Sequence, residues 1–119
     1  MQEERDVMNA LREADLALAR MREGLAELER SLEEQDELTG LISQCMLQVN
    51  LGSMQNPLPV TMKLMALNLP VWPDPSKNVD ELENARDREA AKAEEILKGI
   101  EESAAQCEEW QKRAVEGSI

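Results

Sequence analysis

From Val7 to Val49 apolar side chains return every third and fourth residue. With Leu11 placed at heptad position a, that row continues through Leu18, Leu25, Leu32, Thr39 and Met46. Position d is filled by Val7, Ala14, Met21, Leu28, Gln35, Ile42 and Val49. Most charges fall at c, e and f. A seam sustained over this many heptads predicts a coiled-coil helix over 3–51, roughly 70 Å long at the helical rise.

The pattern breaks in the segment 53–77, which holds all five prolines: Pro57, Pro59, Pro70, Pro73 and Pro75. Proline lacks the amide proton and clashes with the preceding turn, so no continuous helix passes through. Between the prolines, residues 60–68 have the spacing of a short helix, with Met62, Met65 and Leu69, or Leu64 and Leu67, turned inward. Helical periodicity resumes over 78–115, where Asn78 and Glu81 are spaced to cap the first turn. Val79, Leu82, Ala93, Ile96, Ile100, Cys107, Trp110 and Ala114 form its seam, in a register that also places Arg86, Glu89 and Ser103 there. The connector is too short to carry the chain back to a parallel start unless nearly fully extended. The expected fold is therefore all-α: one elongated domain over 1–119, an antiparallel coiled-coil hairpin with a proline-rich apolar connector.

The seam residues expected to hold the hairpin are Leu11, Leu18, Met21, Leu25, Leu28, Leu32, Ile96, Ile100 and Trp110. Beside them runs a g row of mostly small residues, Ala10, Ala17, Gly24, Ser31, Leu38 and Cys45, which widens the apolar face. Glycine weakens a helix by about 1 kcal/mol, so Gly24 asks for a packing explanation. From Leu38 to Trp72 the only charge is Lys63. The first helix becomes apolar nearly all round near that end, which requires cover on every side. Two sources of cover compete: the connector folding over it, and a second chain. Leu38, Leu41, Met46, Leu47, Met62, Leu64, Met65, Leu67 and Trp72 are the residues expected to meet a partner if the cover is shared.

Composition narrows the function. The chain has 119 residues, a net charge of −12, two tryptophans, and no Phe, Tyr or His. That charge opposes contact with nucleic acid or an anionic membrane, which both depend on concentrated Lys and Arg. No run approaches a membrane span, and the opening Gln2-Glu3-Glu4-Arg5-Asp6 is not the basic-then-apolar start of a signal peptide. The expected setting is cytoplasmic or nuclear. Cys45 and Cys107 are too few for a disulfide framework or a zinc site and are expected as buried free thiols. With no His, no glycine-rich phosphate loop and carboxylates on solvated faces, neither catalysis nor a cofactor or metal site is expected.

Two long helices around a connector resemble the plan of prefoldin subunits. Those subunits join their helices with β-hairpins, whereas five prolines and the Val60–Leu67 segment predict turns and a short helix here. The function expected is that of a structural or scaffolding subunit mediating protein–protein assembly, of the kinetochore, cytoskeletal, trafficking or nuclear-pore type, as a homodimer or obligate heteromer. The alternative is a chaperone or adaptor that binds clients through an apolar, Met-rich tip.

Overall fold

The structure, a computed structural model, describes residues 2–117. It is all-helical, with α1 (Gln2–Asn50), α2 (Leu58–Ala66) and α3 (Pro75–Gly117), and no strand among the described residues. The two long helices pack against each other as an antiparallel hairpin, with the proline-rich connector and its short helix between them in the chain.

Each helix end has a local chemical cause. Glu3 and Glu4 sit in the first turn of α1, where negative charge favours the exposed amides. At the far end Gly52 takes a left-handed conformation (φ 71°). The Ser53 amide then donates to the Gln48 carbonyl (2.9 Å) and the Gly52 amide to the Val49 carbonyl (3.0 Å). This paired closure satisfies carbonyls that the helix leaves orphaned.

The same closure ends α2, with Asn68 (φ 57°) as the left-handed residue and the Leu69 amide donating to the Leu64 carbonyl (2.9 Å). Asparagine tolerates that conformation where most side chains do not. The turn carries Leu69 onto the apolar core beside α2.

The capping expected of Asn78 and Glu81 does not occur. Helix α3 begins three residues earlier, at Pro75, because Asp74 can serve as the cap. Its Oδ1 accepts from the Ser76 amide (3.0 Å) and the Ser76 hydroxyl (2.8 Å). Proline is well suited to the first helical position, where an amide proton would go unused.

Packing divides the chain into two units. One comprises the chain up to Arg30 and from Ala93 onward; the other is Ser31–Lys92. The first has a core of small side chains, Ala14, Ala17 and Cys107, against which Leu18, Met21 and Trp110 rest. The second has a larger aliphatic core of Leu38, Leu41, Ile42, Cys45, Val60, Leu64, Val79, Leu82 and Ala85. A fully buried Leu or Ile contributes roughly 1.5–3 kcal/mol, more than an Ala methyl can, so the second unit's buried core carries more apolar side-chain volume per position.

Candidate partner-binding surface

In the first unit the face of α1 that meets α3 is not the expected one. Ala10, Ala14 and Ala17 are buried, whereas Leu11 and Leu25 are 50% and 52% exposed. The contact runs along the d and g positions, so α1 is turned by roughly 60° from the a/d seam on the period of the helix. Close approach of the backbones is the physical reason. A Cβ built on Gly24 would lie 2.6 Å from Cγ1 of Ile100, a separation no real side chain tolerates. Alanine and glycine let α3 settle into this groove, and leucines along the same line would hold it off.

Leu18, Met21 and Leu28 are half-buried, as are Ile96, Ile100 and Trp110 on α3; of these Leu18, Met21 and Trp110 pack against the small-residue core and Ile100 lies over Gly24. Arg20 Nη1 donates to Gln106 Oε1 (3.1 Å) between the exposed edges of α1 and α3. The Arg113 guanidinium lies 4.6 Å from the Trp110 ring centre and also meets Glu109 at 3.2 Å.

The second unit continues the same register. Ser31, at position g, is buried and its hydroxyl donates to the Glu89 carbonyl (3.2 Å). Leu32, at position a, is 51% exposed. The seam assignments of Leu11, Leu25 and Leu32 are thus corrected: all three flank the contact instead of filling it.

Around the connector, the residues expected to face a partner separate into two groups. Leu38, Leu41 and Leu64 are core residues, closed off by α2 and the start of α3. Met46, Leu47, Met62, Met65, Leu67 and Trp72 are exposed. Helix α2 turns Val60 and Leu64 inward, four residues apart, which sends Met62 and Met65 to the solvent side. Neither inward face expected from sequence is realised as a set. The far end of α1 is not covered all round either, since α2 and α3 close only the Leu38, Leu41, Ile42 and Cys45 side.

Asn78 is the polar centre of this unit. It is fully buried, and its Oδ1 accepts from the Trp72 amide (2.8 Å). Its Nδ2 donates to Asn56 Oδ1 (2.8 Å) and to the Trp72 carbonyl (2.9 Å), and Asn56 Nδ2 donates to that same carbonyl (2.9 Å). One amide side chain therefore ties the strands of chain entering and leaving α2 to α3. Sequence inspection missed this role, because an Asn before a helical run reads as a cap. The Trp72 ring is held outside by Lys77, 5.0 Å from its centre.

Lys63 is anchored by Glu34 (2.6 Å) and Glu37 (3.2 Å). Partial burial works against its charge, but hydrogen bonds and attraction from the two carboxylates outweigh it and raise its pKa. Cys45 and Cys107 are both free thiols and both buried. Burial, with the Asp74 carboxylate nearby, pushes the Cys45 thiol up, and its S–H donates to the Pro75 carbonyl (3.1 Å). Burial and the raised pKa both disfavour its thiolate form.

Among the described residues no group of three His, Cys, Asp or Glu is placed to hold a metal ion. Among the same residues no helix is long and apolar enough to cross a membrane. The class defined by the fold is an antiparallel helical hairpin closed by a helical connector. No protein-family model, characterised protein or solved structure matches the chain.

Proposed function

We propose that this chain is a non-enzymatic structural subunit whose helices join or space other protein chains in an assembly. The observation that carries the reading is the leucine row on α1 in the first unit, Leu11 and Leu25 half-exposed with the partly buried Leu18 between them. Leucine at seven-residue spacing on a helix face is a recurring means of holding another helix. A net charge of −12 opposes nucleic acid as the partner. The cytosol or nucleus is the setting that suits two free thiols.

The test is the composition of the complex that forms around the tagged full-length chain in cells. The reading expects a fixed molar ratio to one partner set, a second copy included, and loss of that ratio in Leu11→Glu. A chain recovered alone and monomeric would refute it.

A second reading draws on the connector. Met54, Leu58, Met62 and Met65 are each more than 60% exposed, and methionine adapts to varied apolar shapes. A chaperone or adaptor using this surface would suppress aggregation of unfolded model proteins, and Met62→Ser with Met65→Ser would abolish the effect.

A further inference from the structure

We propose that the occupant of the α1 leucine row is a second copy of this chain, with its α1 antiparallel to the first and the two-fold axis at Leu18. The proposal rests on the assembly reading above and adds the partner, orientation and register. Within the first unit, α3 occupies the d and g positions of α1, leaving Leu11 and Leu25 of the a row half-exposed, with Leu18 between them partly buried against the Ala14 and Ala17 core but still reaching the surface. Beside that row, on the side away from α3, are the e positions Met8, Asp15, Arg22 and Glu29. The b positions next to these include Ala19 and Ala26, small enough for a helix to come close.

The charges at e discriminate between registers. An antiparallel pair centred at Leu18 sets Leu11 against Leu25 of the second copy, and Leu18 against its own counterpart. Asp15 then faces Arg22 of the second copy, twice by symmetry, and Met8 faces Glu29. No like charges oppose each other among these positions. Sliding by one heptad step in either direction loses this. Centred between Leu18 and Leu25, Arg22 faces Arg22 and Asp15 faces Glu29. Centred between Leu11 and Leu18, Asp15 faces Asp15. A parallel in-register pair stacks every like charge at the same level. Flanking charges of this kind set partner orientation in paired helices. The apolar row also continues onto α3, where Val115 and Ala114 line a depression with Val7 and Leu11.

Sedimentation equilibrium of the full-length chain at low-micromolar concentration tests this. The expected result is a dimer. Leu25→Glu should give a monomer that keeps its helical circular dichroism, since Leu25 is half-exposed. Arg22→Asp and Asp15→Arg alone should each weaken the dimer roughly tenfold, by turning two attractive pairs into repulsive ones. Together they should restore it, because the pairing is then reversed but complementary. A monomeric wild-type chain, a dimer indifferent to Leu25→Glu, or a double variant weaker than both singles would each overturn the proposal. A wild-type monomer that still enters a fixed-ratio complex with another protein would remove self-pairing and leave the assembly reading standing.

Discussion

Asn78 shows how much one buried amide can decide. Its three hydrogen bonds hold Asn56 and Trp72 against the start of α3. Replacing it by Ala removes all three and leaves their partners unsatisfied in a confined space. Asn78→Ala should cost about 1–3 kcal/mol of unfolding free energy in urea titrations. Asp74 next to it carries a pH dependence. Hydrogen bonds from the Ser76 hydroxyl and amide lower its pKa. A carboxyl with a lowered folded pKa stabilises above its unfolded value, and the contribution disappears as pH falls through the folded one. The melting-temperature gap between wild type and Asp74→Ala should therefore be present at neutral pH and close below about pH 4. A gap unchanged at lower pH would separate Asp74 from the cap.

At the level of the helix, glycines with the same intrinsic cost have opposite expected effects. Gly24 faces Ile100, whereas Gly40 and Gly99 have nothing within 4 Å of a built Cβ. Gly40→Ala and Gly99→Ala should each stabilise by about 0.5–1 kcal/mol through helix propensity alone. Gly24→Ala should destabilise, and the sign should reverse in an Ile100→Ala background where the clash is gone. A double-mutant cycle showing no coupling between Gly24 and Ile100 would contradict the close packing that turns the leucine row outward. The α1 leucines would then have to be explained without the d/g groove.

For the molecule as a whole, the segment around the connector separates folding from association. Leu64 is fully buried and Met65 is 64% exposed on the adjacent position of α2. Leu64→Glu should unfold the second unit, because an ionised carboxylate in that core has no partner. Met65→Glu should leave the melting temperature within a degree or two, about the scatter of an ordinary surface substitution. Any loss of client or partner binding in Met65→Glu is then a property of the surface. Equal destabilisation by the two substitutions would mean that α2 does not take the orientation described.

The helical class, the two long helices and the short one between prolines are legible in the sequence because each follows from local chemistry. Periodicity needs only the helix pitch, and proline acts on its own turn and the residue before it. On α3 the expected row mixes buried Val79, Leu82, Ala93, Cys107 and Ala114 with half-buried Ile96, Ile100 and Trp110, and the buried Ser103 shares its register. On α1 the sequence offers two rows, leucines at a and small residues at g, that share the d row between them. Hydrophobicity favours the leucines, yet backbone approach through Ala10, Ala17, Gly24 and Ser31 selects the other row, as the Gly24–Ile100 contact shows. Likewise the inward face of α2 is set by what Leu38, Leu41 and Ile42 present to it, not by α2 alone. Sequence determined which segments are helices because that is local; tertiary structure decided which faces meet, because the distance between two backbones is a property of both helices at once.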